Sequence, residues 1–395
     1  MSLRVAVVAA CPFPARRGTP LRVERLTAAL AARGHAVEVF SYHVTDDDER
    51  MPPFPVTRTR KRIVRRAMPP GPRWEKLLLD PLLCYQLRKG LRQGAFDLIH
   101  AHHVEGLLVG HWARPRAGSP MVFDAHTLLA SELPTYPLGI GRRSLRALGW
   151  WLDGLLPRHA DHVIAVTRQM QELLVGGHGV PENRVTVVSN GVELEHFARV
   201  DSQTTAEAAR LIYTGTLAPY QGIELLLKAF AIARRQRPEL SLCLCVQSSV
   251  SPYERLTREL GIGDAIEVVH DRFKDLPANL ARAQIAVLPR VHCDGIPQKL
   301  LNYMAAAKPI VAFAGSAKLL THERTGLIVP DGDTSAFAAA IVGLVERPQR
   351  ALELGQRARA FVAAHHSWEH AAEQVEHVYL GLLRRRGTVE QVQAA

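Results

Sequence analysis

No stretch of this chain approaches the roughly 18 consecutive apolar residues of a membrane-spanning helix, so a protein that crosses a bilayer is not expected. Cysteine is scarce and unpatterned. The five residues, Cys11, Cys84, Cys243, Cys245 and Cys293, are odd in number and lack C-x-x-C spacing, which fits reduced thiols in a cytosol. Cys243 and Cys245 read as alternate positions of one strand. Short repeats and low-complexity segments are absent, and the basic excess comes with neither an aromatic platform nor a nucleic-acid-binding motif, so nucleic acid is not expected as a partner.

What is present is the composition of a folded, soluble protein: 47% apolar and 22% charged residues. At 395 residues the chain exceeds the size at which one core stops growing, and two domains of about 180–200 residues each are expected. The run Arg4 to Cys11 has the outline of a lipoprotein signal. It is shorter than an h-region and leads directly into a helix, so it reads as a first β-strand. The net charge of +11 is concentrated at Arg58, Arg60, Lys61, Arg62, Arg65 and Arg66, followed by Pro69, Pro70, Pro72, Trp74 and the apolar Leu77–Leu79. That segment reads either as a solvated basic loop or as a patch for an anionic membrane surface or a phosphorylated acceptor.

Strand-like runs at Val5–Ala10, Val37–Ser41, Leu98–His102, Met121–Phe123, Val163–Val166 and Val185–Val188 alternate with helical stretches. In the first helix Thr19 is the expected cap, Pro20 suits the first turn, Val23, Leu26 and Leu30 share one side, and Gly34 ends it. A second series follows at Leu211–Thr214, Leu242–Val246, Ile266–Val269, Ile285–Leu288, Ile310–Phe313 and Leu327–Val329. The spacing predicts an α/β protein of two Rossmann-like, doubly wound parallel-sheet domains facing a cleft. The expected limits are 1–198 and 209–366 for the domains and 199–208 for a linker. A closing helix over 367–386 carries Trp368, Ala371, Val375, Val378, Tyr379 and Leu382 at helical spacing, and a loose tail covers 387–395.

The most informative stretch runs from Asp294 to Val311. A strand, Ile285–Leu288, leads into a loop with Gly295 and Pro297. An amphipathic run, Lys299–Ala307, follows, and then a second strand, Ile310–Phe313. A helix N-terminus that opens at the carboxyl end of a strand offers backbone N–H groups and a positive dipole end, which suits a nucleotide diphosphate.

The order of these segments resembles the retaining group 1 glycosyltransferases of the GT-B fold, glycosyltransferase family 4, over nearly the whole chain. Arg16-Arg17-Gly18, the run Leu21–Leu26 and Arg33-Gly34-His35 resemble the glycine loop, helix and R-G-H turn of that family. Asp124-Ala125-His126 resembles its strand-end histidine, and Ser189-Asn190-Gly191-Val192-Glu193 with Phe197 its P-N-G-V-D…F element. Tyr213-Thr214-Gly215-Thr216-Leu217 with Gln221-Gly222 is similar to G-R-L…K-G. The Asp294 stretch is similar to E-G-x-P…E-A-M-A-x-G-K-P-V-V, and Ser367-Trp368-Glu369 resembles the start of the closing helix. The departures are specific. The two family glutamates correspond to Asp294 and Asn302, the phosphate-binding arginine and lysine to Thr216 and Gln221, and the first glycine of the N-terminal pair to Arg17. The loop Gln247-Ser248-Ser249 lacks the family's glycines.

The resemblance implies transfer of a sugar from a nucleoside diphosphate sugar co-substrate to an acceptor hydroxyl, with retention and without a metal or other cofactor. The acceptor would be a glycolipid, a polysaccharide or a small glycoside. The protein is expected in the cytoplasm, with peripheral attachment to the inner face of the membrane. The C-terminal domain would bind the donor and the N-terminal domain the acceptor. His126 and Asp294 are the implied catalytic residues. Gly18, Thr19, Gly215, Thr216, Gln221, Arg290, Gly295, Ile296, Pro297, Lys299 and Asn302 are implied at the donor, and Asn190 and Arg17 on the acceptor side. With Thr216 and Gln221 neutral, Lys299 and Arg290 are the cations placed to compensate the diphosphate. Three other readings stay open at this point: a catalytically silent relative, a nucleotide-sugar epimerase, and a metal hydrolase built on His100, His102 and His103. Asp46-Asp47-Asp48 imitates the D-x-D of the other glycosyltransferase fold and reads as a solvated acidic turn.

Overall fold

A computed structural model of the protein describes residues 2–15, 18–45, 52–60, 74–94, 96–115, 119–136, 139–198, 207–270, 272–293 and 295–394, with side chains through 385. Arg16, Arg17, Asp46–Asp48, most of the basic segment (Lys61, Arg62, Arg65 and Arg66), Pro69, Pro70, Pro72, the linker through residue 206 and Asp294 lie outside the described residues. The chain forms two compact units, Met1–Asn190 with Trp368–Ala395, and Gly191–Ser367.

The first unit is built on seven parallel strands: β1 (Arg4–Ala9), β2 (Ala36–Ser41), β3 (Val56–Arg58), β4 (Leu98–His102), β5 (Met121–Ala125), β6 (His162–Ala165) and β7 (Val185–Val187). Their order is 3-2-1-4-5-6-7, so the winding reverses between β1 and β4. Its helices are α1 (Gly18–Ala32), α2 (Lys76–Gln93), α3 (His103–Ala113), α4 (Leu129–Glu132), α5 (Arg142–Leu155) and α6 (Arg168–Glu172). Strand β1 shows why the runs are continuously apolar. Ala6 and Val8 feed one core with Leu83 and Leu87 of α2, whereas Val5, Val7 and Ala9 feed another with Val23 and Leu26 of α1. A strand covered on both faces has no side left for polar residues.

Two expectations are corrected here. Strand β3 is missing from the sequence reading because it is only three residues long, and it draws Arg58 out of the basic segment into a sheet edge, where the guanidinium donates to the Phe13 carbonyl at 3.4 Å. Helix α1 begins at Gly18, which places Thr19 inside the first turn rather than at the cap.

The second unit has six parallel strands: β8 (Arg210–Thr214), β9 (Ser241–Val246), β10 (Ile266–His270), β11 (Ile285–Leu288), β12 (Ile310–Phe313) and β13 (Leu327–Val329), in the order 10-9-8-11-12-13. Here the winding reverses between β8 and β11. Its helices are α7 (Leu194–Ala198), α8 (Ile223–Gln236), α9 (Glu254–Glu259), α10 (Leu276–Arg282), α11 (Gln298–Ala305), α12 (Thr334–Val345) and α13 (Pro348–His365). Residues 191–198 belong to this unit, because Val192 and Phe197 are buried in the core that holds Leu300 and Leu301. The break therefore falls after Asn190, eight residues before the expected limit at 198.

Helix α14 (Trp368–Ala394) returns the chain to the first unit. Ala372, Val375 and Tyr379 pack with Leu26 and Leu30 of α1, and Arg33 pairs with Glu376. The helix continues to Ala394, past Arg386, where the sequence suggested a loose tail.

Candidate active site

In the first unit the parallel register of β4 and β5 sets His102 opposite Asp124, and these strand ends lie at the reversal point of the sheet. Asp124 is fully buried, and Arg22 from α1 neutralises it through Nε at 3.1 Å and Nη2 at 2.9 Å. The same guanidinium donates to the Val188 carbonyl at 3.0 Å and to Asn190 Oδ1 at 2.9 Å. Burial opposes ionisation of Asp124, but Arg22 first and the surrounding histidines after it hold its carboxyl well below the usual range. Gly18 and Thr19 open the helix that carries Arg22.

His126, the expected catalytic histidine, follows β5. Its Nε2 lies 3.6 Å from Asp124 Oδ1 and 3.1 Å from His102 Nδ1. Burial pushes the imidazole down to about 3 against the pull of Asp124, and Arg22 adds to the depression. His126 is therefore neutral near pH 7 and offers a polar N–H and a lone pair rather than a charge.

The histidine cluster has a different role from the one a metal reading requires. Donor atoms of His100, His102 and Asp124 lie within 4.8 Å of one another. The Arg22 fork already occupies the carboxylate, and His100 Nδ1 is 2.6 Å from Tyr379 Oη. A divalent ion there would face a guanidinium, which does not favour the metal-hydrolase reading built on His100, His102 and His103.

Sequence reasoning named His103 only as a metal-ligand candidate and missed its pairing with Glu105 and Glu132 beside His126. His103 sits in the left-handed region at φ +62°, with its ring 6.4 Å from that of His126. Its Nδ1 meets Glu105 and its Nε2 lies 3.1 Å from Glu132. Burial would lower its pKa, yet Glu105 and Glu132 raise it to about 10, which makes it an imidazolium. Thr127 and Tyr136 donate to Glu132, and Lys76 to Glu105 at 2.6 Å. No spacing in the sequence links these residues, which come from α2, α3 and α4 and the turns around them.

In the second unit the corresponding reversal point joins the turn after β8 to the start of α11. Gly215 takes φ +110°, and Gly222 takes φ +75° with no room for a side chain, since a Cβ would lie 2.0 Å from the Pro289 carbonyl oxygen. Lys299, in the first turn of α11, stretches back to this turn. Its Nζ donates to Tyr213 Oη at 2.8 Å and to Gln221 Oε1 at 3.1 Å, and lies 3.0 Å from the point where a Gly215 Cβ would sit. Asn302, one turn further along the same helix face, is buried, and its Oδ1 has no hydrogen-bond partner among the described residues. Arg290 lies over the Tyr220 ring at 5.0 Å. Gly295 accepts from Cys293 Sγ, Ile296 packs against the adjacent core, and Pro297 is the N-cap of α11. Thr216 is exposed, and its carbonyl accepts from Tyr213 Oη at 2.6 Å.

The structure thus groups Gly215, Gln221 and Lys299 at one strand-end turn, with Arg290 alongside and Asn302 one helical turn beyond Lys299. It places His126 and Asn190 on either side of the Arg22–Asp124 pair. Arg17 and Asp294 lie outside the described residues.

Two doubly wound parallel sheets, each with polar groups gathered at its reversal point, form the GT-B architecture of glycosyltransferases. Residues 17–196 match the family described as Glycosyltransferase Family 4 and residues 208–347 that described as Glycosyl transferases group 1, and the chain belongs to this glycosyltransferase family. A D-inositol 3-phosphate glycosyltransferase 2 from Catenulispora acidiphila is 28% identical over 394 residues, covering 92% of this chain and 89% of that one. A D-inositol 3-phosphate glycosyltransferase from Saccharomonospora viridis is 28% identical over 406 residues, covering 95% and 92%. Among solved structures, a sucrose-phosphate synthase from Thermosynechococcus elongatus superposes with a TM-score of 0.79 at 22% identity, over 97% of this chain and all of that one. HepE from Anabaena, in complex with UDP and glucose, gives 0.72 at 17% identity, over 95% and 99%. These structures establish the fold.

Proposed function

We propose that this glycosyltransferase moves a sugar from a nucleoside diphosphate sugar to an acceptor hydroxyl with retention at the anomeric carbon, the second unit binding the diphosphate and the first the acceptor. The observation that carries the reading is the Lys299 ammonium set into the Gly215–Gln221 turn, one helical turn from the orphaned Asn302 Oδ1. A buried amide oxygen without a partner costs free energy that a ligand hydroxyl would recover. The ammonium, with the N-terminal amides of α11 and Arg290, would balance the diphosphate without a metal.

In the reaction the bond from the anomeric carbon to the phosphate oxygen breaks, and a bond to the acceptor oxygen forms on the same face. The acceptor proton passes to the departing phosphate oxygen. Neutral His126, fixed by its surroundings, would hydrogen-bond the transferred sugar as charge develops. HepE binds UDP, which makes UDP-sugars the first donors to try, and the named relatives make D-inositol 3-phosphate one acceptor to include. The basic segment Arg58–Arg66, described only at Arg58, Thr59 and Arg60, would add attachment to an anionic membrane.

The test is a panel of UDP-, GDP- and deoxynucleoside diphosphate sugars, with nucleoside diphosphate release followed with and without chelator. One donor should be consumed at an unchanged rate in chelator, and NMR of the product should show retained configuration. No consumption across the panel would return the silent reading. Loss of activity in chelator would restore a metal.

A further inference from the structure

The chain has five tryptophans, and four of them, Trp74, Trp112, Trp150 and Trp151, are exposed. All four lie on or beside α2, α3 and α5. These helices cover the same side of the first sheet: Leu83 and Leu87 of α2, Leu107 of α3 and Leu152 of α5 pack in one core, and the ring of His111 of α3 lies tilted 4.4 Å from that of His159 just beyond α5. Their outer faces carry large apolar side chains in a regular pattern. Along α2 and the turn before it, Trp74, Leu78, Pro81 and Tyr85 form one outward stripe, which Arg88 and Arg92 extend at the same helical spacing.

Helix α5 follows the same plan in an unusual way. It packs inward through Leu145 and Leu152 and through a close backbone approach: a Cβ on Gly149 would meet the Leu129 and Ala130 backbone at 2.4 Å, and Asp153 accepts the Leu129 and Ala130 amides at 2.8 and 2.9 Å. On its other side Leu148, Trp151 and Leu155 point away from the protein at i, i+3 and i+7, flanked by exposed Arg142, Arg143 and Arg146. The carboxylates of the three helices are turned inward. Asp80 accepts from Tyr42, Glu105 pairs with His103 and Lys76, and Asp153 is buried.

We infer that the outer faces of α2, α3 and α5 form a docking surface for an anionic lipid bilayer. Indole and tyrosine rings favour the headgroup level, where leucines reach the acyl boundary and arginines meet lipid phosphates. A face with arginines and no outward carboxylate is complementary to anionic lipid. The inference rests on the peripheral attachment proposed above, adds a helical surface to the basic segment, and does not depend on catalysis.

The test is cosedimentation of the full chain with vesicles of phosphatidylglycerol and phosphatidylcholine, against vesicles of phosphatidylcholine alone, at low and high salt. Three variants are compared: Leu148→Ser with Trp151→Ser, Trp74→Ser with Tyr85→Ser, and Arg143→Glu with Arg146→Glu. Wild type should bind anionic vesicles with a blue shift of indole emission, and each variant should weaken partitioning at least about tenfold. Far-UV circular dichroism and turnover of a water-soluble acceptor should stay at wild-type values. Wild type that ignores anionic vesicles overturns the inference. So does wild-type partitioning by all three variants, and if Arg62→Ser, Arg65→Ser and Arg66→Ser together release the protein instead, the attachment belongs to the basic segment. A concentration-dependent dimer in vesicle-free ultracentrifugation that the serine variants abolish would also overturn it, by assigning the face to a second copy.

Discussion

The two units share one plan, a doubly wound parallel sheet with polar groups at the reversal point, and they handle charge in opposite ways. The first unit buries its charges and pairs them internally: Arg22 with Asp124, and His103 with Glu105 and Glu132. Among the described residues, the second brings a half-buried ammonium, Lys299, to the Tyr213 hydroxyl and the Gln221 amide at its strand-end turn. A charge already satisfied by a buried partner shapes the protein. One set at a strand-end turn beside a helix N-terminus is placed to meet an anionic ligand. The first arrangement should therefore show up in stability and the second in binding.

The largest expected effect follows from breaking the internal pair. Arg22→Leu leaves Asp124 buried without its cation and should cost about 3–5 kcal/mol. All five tryptophans belong to the first unit, so indole fluorescence follows that unit alone. Its midpoint should drop while the other calorimetric transition stays put. Asp124→Leu in the same chain should restore much of the loss, because an apolar pair needs no charge compensation. A single mutant with wild-type fluorescence midpoint would contradict the comparison.

Next in size is catalysis. His126→Ala should lower kcat about a hundredfold or more with little change in nucleoside diphosphate affinity, as expected for a contact that strengthens in the transition state. Unchanged turnover with a raised KM would reassign the residue to substrate binding.

In the second unit, Lys299→Ala should weaken nucleoside diphosphate binding about tenfold to a hundredfold, corresponding to roughly 1.5–3 kcal/mol for a charge-assisted contact. The uncharged nucleoside should be far less affected, and thermal stability should barely move. Combining Gln221→Lys with Lys299→Ala returns a cation to the same turn and should recover part of the affinity. Calorimetry that finds diphosphate binding unaltered in Lys299→Ala would remove this lysine from the donor site.

Acid should separate the units more gently. The His126 folded pKa of about 3 lies below the ordinary 6.5, so between those values the unfolded chain binds a proton that the folded chain does not. Stability from this group is full above 6.5 and is lost as pH falls toward 3; His102 is shifted the same way. His103, raised to about 10, acts oppositely: its contribution is full below 6.5 and is lost as pH rises through 10. Fluorescence midpoints measured from pH 7.5 down to 4.5 should therefore fall. A midpoint that rises with acid would mean His103 outweighs the buried neutral histidines.

The smallest effect concerns the end of α11. Ala307 holds φ +53° where the resembling family has glycine, and a non-glycine residue in that region costs about 1–2 kcal/mol. Ala307→Gly should stabilise the second unit by roughly 1 kcal/mol, somewhat less after glycine's greater unfolded-state entropy, and raise only the transition that fluorescence does not report.

Much of the architecture was legible in the sequence because its causes are local. Strands buried on both faces must be apolar throughout, as in Val5–Ala9 and Ile285–Leu288, and the glycine turns at 215 and 222 mark their own backbone requirement. The α11 stretch was readable for the same reason, and Lys299 could be nominated from its place in it, Gln221 from the family resemblance at the turn after β8. What only the folded chain decided are contacts between residues far apart in sequence. Arg22 meets Asp124 across 102 positions and Asn190 across 168, and His103 meets Glu132 across 29. No periodicity records such pairs, because a salt bridge needs two side chains at one point in space and leaves the intervening chain unconstrained. The outward tryptophans of α5 follow the same logic. Its apolar residues announce an amphipathic helix, but only the folded chain decides that Leu145 and Leu152 join Gly149 on the inner face while Leu148, Trp151 and Leu155 turn outward.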